Sequence, residues 1–339
     1  MKQYIRYIQL LFISSSYISY SRIANLFKLI ISYFLSLAGF DKIKSRTPFF
    51  ISIEPSNFCN LRCPECPVGL NQSPRPVEAT FDEVRYRNLI DELKPTLFHV
   101  IFYFQGEPFL HRNLSELIKY AHEARIYTST STNGHFLNDD TAKAIVLSGL
   151  DKLIVSIDGS TQEVYQKYRI GGNLNKAIDG IKSVVEWKKE LNSITPLIEI
   201  QFIVFKTNEH QLSDMKLLAK SLEADKLTFK TAQLYDFENG NELLTTIEKY
   251  ARYRKGKDGK YLIKSSLPNH CQRLWGGAVV NTQGEVLPCC FDKGSEFSFG
   301  NINEQSFIKN WQSAKASDFR GKLLQNRKQF EMCRNCTSR

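Results

Sequence analysis

Between residues 49 and 231 the chain alternates six short apolar or β-branched stretches with five helix-like ones, and this alternation limits the fold more than any other feature of its 339 residues. Strands are expected at 49–54, 97–104, 127–131, 153–157, 198–205 and 227–231, each rich in Ile, Val, Phe, Thr or Tyr. Helices are expected at 82–93, 114–123, 140–147, 174–190 and 211–222. Serial β/α units imply parallel strands joined by right-handed crossovers. Parallel strands buried on both faces read as near-continuous apolar runs, as 97–104 and 198–205 largely do. Ligands in such α/β folds gather at the carboxyl ends of the strands, so chemistry is sought in the residues just after each one.

The eight cysteines form two sets: Cys59, Cys63 and Cys66, then Cys271, Cys289, Cys290, Cys333 and Cys336, with none from 67 to 270. Disulfide frameworks belong to small secreted chains, and this chain is large. Close spacing within each set points instead to metal ligation in a reducing, cytoplasmic compartment. The first set reads Glu54-Pro55-Ser56-Asn57-Phe58-Cys59-Asn60-Leu61-Arg62-Cys63-Pro64-Glu65-Cys66-Pro67, a C-x3-C-x2-C loop directly after the first strand. Three thiolates on one loop reach three irons of a cubane, and soft thiolates suit iron–sulfur clusters. No fourth ligand follows locally, so one iron stays open to a chelating molecule. The alternatives are unligated core cysteines or a zinc site, but structural zinc is usually closed by four ligands.

That loop and its position resemble the radical S-adenosylmethionine (SAM) superfamily, over about residues 52–231. The resemblance implies an α/β fold built as a partial (β/α)6 TIM-like barrel. It implies a [4Fe–4S] cluster on Cys59, Cys63 and Cys66 that cleaves SAM to methionine and a 5′-deoxyadenosyl radical. That radical abstracts hydrogen from a substrate C–H, with flavodoxin or ferredoxin as reductant. Glu65 departs from the pattern: many members carry an apolar or aromatic residue there, against the adenine, so adenine packing must come from elsewhere. After the second strand, Phe104-Gln105-Gly106-Glu107-Pro108 resembles the family's Gly-Gly-Glu segment, with Gln105 in place of the first Gly. Gly106 permits close backbone approach, and Glu107 accepts hydrogen bonds from the SAM ammonium. Ser131-Thr132-Asn133-Gly134 and Val155-Ser156-Ile157-Asp158-Gly159 resemble the polar strand ends of the SAM site, which brings Thr132, Asn133, Ser156 and Asp158 into it. Arg169 resembles an arginine that pairs with the SAM carboxylate. Singly each is an ordinary turn residue or surface charge; their placement after consecutive strands unites them.

The tail carries Cys271, the pair Cys289-Cys290, Gly300-Asn301-Ile302 and a final Cys333-x2-Cys336. Read as residues alone, four thiolates close either a cluster or a zinc site. The tail resembles the SPASM/twitch extensions of radical SAM enzymes, with too few cysteines for the two-cluster version. The spacing of Cys271, Cys289, Cys333 and Cys336 resembles the single-cluster version of butirosin-type aminocyclitol dehydrogenases, which makes Cys289, not Cys290, the fourth ligand of an auxiliary [4Fe–4S] cluster. Such a cluster suits accepting an electron from a substrate radical, giving an oxidoreductase; the alternative is a brace for the tail. Two substrate classes stay open, a small sugar- or cyclitol-like molecule and a ribosomal peptide, and the lack of a peptide-binding domain before the barrel favours a small or lipid-linked one. A non-catalytic protein with two closed Zn or Fe–S sites, serving structure or electron relay, is the third reading. His99, His111, His122, His135, His210 and His270 have no motif context, and no substrate acid or base is identified.

The chain carries a formal net charge of +10. Lys2, Arg6, Arg22, Lys28, Lys42, Lys44 and Arg46 against Asp41 put +6 of it in the first fifty residues, leaving +4 for the rest. The body therefore offers no nucleic-acid-binding face. Residues 1–46 form a helical leader without a secretory cleavage site. Its apolar run over 23–40 is interrupted by Asn25, Lys28, Ser32 and Ser36, which share one helical face. The run is marginal in length for a bilayer span. Packing on the enzyme body, apolar stripe inward, is favoured, and a peripheral contact with the inner face of the membrane stays open. The division expected is leader 1–46, barrel 47–235, linker or solvated hairpin 236–266, and Cys-rich α+β module 267–339.

Overall fold

The protein is described by a computed structural model covering residues 16–40, 47–70 and 80–337. After a leader helix, α1 (Tyr20–Leu37), come β1 (Phe50–Ile53), α2 (Glu83–Leu93), β2 (His99–Phe102), α3 (Leu114–Glu123), β3 (Tyr127–Thr132), α4 (Asp139–Leu147) and β4 (Lys152–Ser156). Then follow α5 (Gln162–Tyr168), α6 (Leu174–Glu190), β5 (Leu197–Val204), α7 (Leu212–Ser221) and β6 (Lys226–Thr231). All six expected strands and five expected helices form, within a few residues at their ends. Side-chain caps start the helices where the sequence offers them: Asp82 accepts from Arg85 N at 2.8 Å and Asn138 from Thr141 N at 2.9 Å.

The six strands run parallel in sequence order, with their apolar residues, such as Ile51, Val100, Leu153 and Ile200, fully buried beneath the helices. The short helix α5 was not expected; Thr161 caps it, and it lies too close to α6 to give a period of its own. The sheet continues beyond β1. The tail gives α8 (Gln272–Gly276), β9 (Gly277–Val280) and β10 (Val286–Leu287), and β9 lies parallel beside β1, Phe50 opposite Gly277 and Ile53 opposite Val280. A Cβ at Gly277 would run into the Phe50 ring, so this close pairing needs glycine. The Cys-rich module is thus built onto the barrel sheet and finishes with α9 (Phe307–Trp311), α10 (Ala314–Gln325) and α11 (Glu331–Arg334). Within 236–266 an antiparallel hairpin pairs β7 (Tyr253–Lys255) with β8 (Tyr261–Ile263). It turns at the Gly256 N to Lys260 O bond and buries Tyr253.

The leader helix packs on the body, but with the face opposite to that expected. Arg22, Asn25, Leu29, Ser32, Tyr33 and Ser36 are buried, whereas Ile23, Phe27, Ile30, Phe34 and Leu37 point outward. Helix ends decide this. The guanidinium of Arg22 donates to the carbonyls of Tyr17, Lys94, Ala124 and Arg125, the last three at the C-terminal ends of α2 and α3, where carbonyls lack intrahelical partners. Asn25 exchanges hydrogen bonds with Thr47 at 3.0 Å, Tyr17 donates to Asp151, and Tyr33 meets His270 and the Trp275 ring. Apart from Tyr17 in the leader itself, these partners precede strands, so α1 crosses the amino ends of the sheet. Lys28 is exposed, outside the buried stripe; Lys2, Arg6, Asp41, Lys42, Lys44 and Arg46 lie outside the described residues. No described helix is long and apolar enough to cross a membrane.

Candidate functional site

The first cysteine loop leaves the carboxyl end of β1 and is pinned by backbone bonds from three directions: Phe81 N to Pro55 O at 2.9 Å, Glu107 N to Phe58 O at 2.6 Å, and Arg62 N to Ile170 O at 3.0 Å. Gly106 makes the second possible. Its φ is +66°, and a Cβ there would lie 2.7 Å from Phe58 O and nearer still to Ser56 O. The close approach foreseen for this glycine is therefore to the cysteine loop itself.

Cys63 is buried and Cys59 and Cys66 half-buried, all three lining one cleft of about 390 Å³ at the carboxyl ends of the strands. Donors already face the sulfurs: Leu61 N lies 3.4 Å and Asn133 Nδ2 3.7 Å from Cys59 Sγ, and Arg169 Nη1 3.9 Å from Cys63 Sγ. Burial pushes the Cys59 thiol up to about 12 and raises Cys63 as well, so these sulfurs become thiolates only when a cation replaces the proton. Among the described residues no His, Cys, Asp or Glu trio closes on a single ion. Three thiols that line one cleft without closing on a single ion suit the separate corners of a cube, and the donor set fits a cluster.

Gly106, Glu107, Thr132, Asn133, Ser156 and Arg169 all line the same cleft. Glu107 is buried and accepts from Thr132 Oγ1 (2.7 Å), Asn133 N (2.8 Å) and Phe109 N (3.2 Å). Burial raises its carboxyl to about 7 against those hydrogen bonds. Three of its roughly four acceptor positions are filled, leaving one for a further donor. Asp158 stands apart from the other six: fully buried, it lies behind Arg169, accepting from Arg169 Nε and from Ile203 N, both at 2.6 Å. It positions the arginine. Burial works against the Arg169 charge, and Asp158 with Cys63 outweighs it, holding the guanidinium firmly protonated.

The two departures from the family pattern are ties to later parts of the chain. Glu65 accepts from Tyr235 N at 2.8 Å and from Asn241 Nδ2 at 3.3 Å, fastening the cysteine loop to the segment after β6. Gln105 Nε2 donates to Lys293 O at 3.0 Å, fastening the second strand's end to the tail. Sequence reasoning missed Tyr103, Tyr168, Lys230, Gln233, Tyr235 and Lys293 as cleft residues. The signal for Lys230 and Tyr103 was their place at strand ends; for Lys293, in the distant tail, none existed.

In the tail, Cys271, Cys289, Cys333 and Cys336 surround one small cavity with Arg273, Arg327 and an apolar wall of Leu274, Phe319 and Met332. Cys290 does not line it and packs beside Phe104, Val279 and Leu287. Burial lifts Cys333 to about 11. Four thiols with two guanidinium groups nearby fit a cluster closed by protein ligands.

Two cysteine sites on one sheet, one lining a cleft at the strand ends and one surrounding a smaller cavity in the tail, define an iron–sulfur enzyme of the partial-barrel type. Family models agree with that division: one described as the radical SAM superfamily matches residues 53–199, and SPASM, an iron–sulfur cluster-binding domain, matches 271–337. The chain belongs to the radical SAM superfamily and carries a SPASM domain. It is a radical SAM oxidoreductase with SAM, a SAM-binding [4Fe–4S] cluster and an auxiliary [4Fe–4S] cluster as cofactors. The non-catalytic reading is thereby set aside. A PqqA peptide cyclase of Rhodopseudomonas palustris is 27% identical over 292 residues, 79% of this chain and 74% of that protein. BtrN in complex with AdoMet and 2-DOIA superposes with a TM-score of 0.54 at 21% identity, over 87% of this chain and 94% of BtrN. Streptococcus suis SuiB bound to S-adenosylmethionine gives 0.63 at 14% identity, over 90% of this chain and 75% of SuiB. At such identities the two structures share the fold.

Proposed function

We propose that this enzyme oxidises a small polar substrate by two electrons: one leaves with a hydrogen atom, one passes to the auxiliary cluster, and a proton is lost to solvent. The observation that carries this reading is a polar and cationic patch in the cleft beyond the residues assigned to SAM, Lys230, Gln233, Arg252 and Lys293, set among the aromatic side chains of Tyr103, Phe104, Phe205 and Tyr235. Cys59, Cys63 and Cys66 hold the SAM cluster in this reading, and Cys271, Cys289, Cys333 and Cys336 the auxiliary one. When bound, the first cluster and SAM supply one-electron cleavage of a sulfonium C–S bond and a 5′-deoxyadenosyl radical that abstracts hydrogen, and the auxiliary cluster supplies an electron acceptor.

The chain's own groups do the binding and orienting. Glu107 uses its remaining acceptor position for the SAM ammonium. Arg169, aimed by Asp158, pairs with the carboxylate. Thr132 and Asn133 hold Glu107 in place, and Ser156 reaches the ribose or carboxylate. Because Glu65 is committed to Tyr235 and Asn241, the adenine packs on the apolar side chains of Ile203 and Tyr168 instead. Lys230 and Lys293 orient hydroxyl or anionic groups of the substrate, with residues 47–235 as the catalytic barrel and 267–339 as the auxiliary domain. A flavodoxin or ferredoxin delivers the electron.

A peptide substrate is the second reading, favoured by the likeness to PqqA peptide cyclase across most of both chains. The test is anaerobic reconstitution to about eight irons per chain, then 5′-deoxyadenosine formation with dithionite, without and with deuterated sugars, cyclitols and short peptides. Deuterium appearing in 5′-deoxyadenosine from a cyclitol or sugar supports the first reading. Transfer from peptides alone refutes it.

A further inference from the structure

The outward face of α1 is the largest feature that the radical chemistry leaves unused. Tyr20, Ile23, Phe27, Ile30, Ile31, Phe34 and Leu37 recur at helical spacing along it, with Tyr20 89%, Phe27 61% and Phe34 60% exposed. A continuous stripe of large apolar side chains on a surface marks an interaction site. The stripe is not the residue of loose docking. The polar side of the helix is fixed by Arg22 to four backbone carbonyls and by Asn25 to Thr47, which holds the apolar side outward.

Charge identifies the occupant. No Asp or Glu occurs in the first forty residues, and Asp41 is the sole acidic residue among the first fifty, against six Lys and Arg besides the buried Arg22. Two copies meeting through this face would bring two such cationic segments together. Helix pairs that associate specifically flank their apolar seam with opposite charges, whereas here the one exposed charge on the helix is Lys28. A basic, acid-poor stretch of sequence flanking a Phe- and Ile-rich stripe matches an anionic lipid surface, where apolar side chains enter the headgroup boundary and each nearby Lys or Arg adds attraction. Eighteen residues make a helix about 27 Å long, suited to lying in that boundary.

We propose that α1 docks the enzyme on an anionic membrane surface through Phe27, Phe34 and their apolar neighbours. Because α1 crosses the amino ends of the strands and the cysteine cleft opens at their carboxyl ends, the docked enzyme turns its cleft away from the bilayer. It draws its substrate from the aqueous side.

The test is flotation of the anaerobically reconstituted full chain with vesicles of phosphatidylcholine alone or mixed equally with phosphatidylglycerol. The expected result is flotation with the anionic vesicles, weakened by salt, and none with phosphatidylcholine. Phe27→Glu with Phe34→Glu lowers vesicle partition at least about tenfold while iron content and 5′-deoxyadenosine formation stay unchanged. Lys42→Gln with Lys44→Gln keeps the apolar face and reduces the preference for anionic lipid. Wild-type protein that fails to float with either vesicle, or a glutamate variant that floats equally well, overturns the proposal. So does a wild-type dimer in sedimentation velocity that the glutamate variant dissociates, which assigns the face to a second copy. Vesicle binding that appears only after removal of residues 1–15 assigns it to that segment.

Discussion

Replacing Gly106 by alanine should empty the first cluster site while leaving the second filled. Gly106 has φ +66°, and an added Cβ would stand 2.7 Å from Phe58 O and closer to Ser56 O, both backbone atoms that no side-chain rotation can move aside. The left-handed conformation costs an alanine about 1 kcal/mol. Relieving the clash requires the second strand's end and the cysteine loop to part, which breaks the Glu107 N to Phe58 O bond. Losing that bond and leaving its partners unpaired costs roughly 1–3 kcal/mol more. A local penalty of about 2–4 kcal/mol falls on the loop that must present three thiolates together. Iron determination after anaerobic reconstitution should show a loss of about four irons per chain, with 5′-deoxyadenosine formation gone. Gly171 is the control: it also has positive φ, +82°, but a Cβ there meets only Asn60 O at 3.7 Å. Gly171→Ala should cost about 1 kcal/mol and keep its iron. Full iron and normal SAM cleavage in Gly106→Ala would refute the claim that this crossing point holds the loop.

Cys289→Ser should remove the auxiliary iron, whereas Cys290→Ser should retain it, because only Cys289 faces the cavity of the other three thiols; iron counts and the spectrum of the reduced protein distinguish the two. Asp158→Asn removes the charge that aims Arg169 and should weaken SAM binding about tenfold without loss of iron, as read by calorimetry on the unreduced protein. His99, held by Ser129 Oγ at 2.8 Å, is lowered from 6.5 to about 4 by burial and by Lys152. Its folded value lies below its unfolded one, so its contribution is complete above pH 6.5 and is lost as pH falls from there toward 4, by up to about 3 kcal/mol. His99→Gln should therefore show a flatter stability curve than wild type across that window in urea titrations at successive pH values; parallel curves would contradict this.

The barrel was legible because most of its strands bury alternate residues and its helices bury one stripe, so hydrophobic periods of two kinds alternate along the chain. Ile51, Val100, Leu153 and Ile200 announce the sheet in the sequence itself. The cysteine loop was legible because its ligands are neighbours. What escaped was non-local. Nothing near Gly277 says that it will pair with Phe50, and nothing near Lys293 says that it will reach the cleft beside Phe104. Asp158 sits in the right segment, yet a strand-end carboxylate reads the same whether it faces a ligand or the arginine that does. The leader helix shows the limit of periodicity: it gave the two faces of α1 correctly but assigned them the wrong way round, because the unpaired carbonyls around Lys94 and Ala124 outweigh an apolar stripe, and they belong to other helices.

The pairing of β9 with β1 has a consequence for any attempt to study the catalytic half alone. Cutting the chain before residue 277 strips one whole side of β1, the strand that leads into the cysteine loop, and turns it into an exposed edge of unpaired N–H and C=O groups. A shortened protein should then seek another strand to complete itself and precipitate or self-associate before its iron chemistry can be assayed. The two iron centres are in this sense one folding unit, and mutation at each in turn, rather than truncation, is the way to separate what they do.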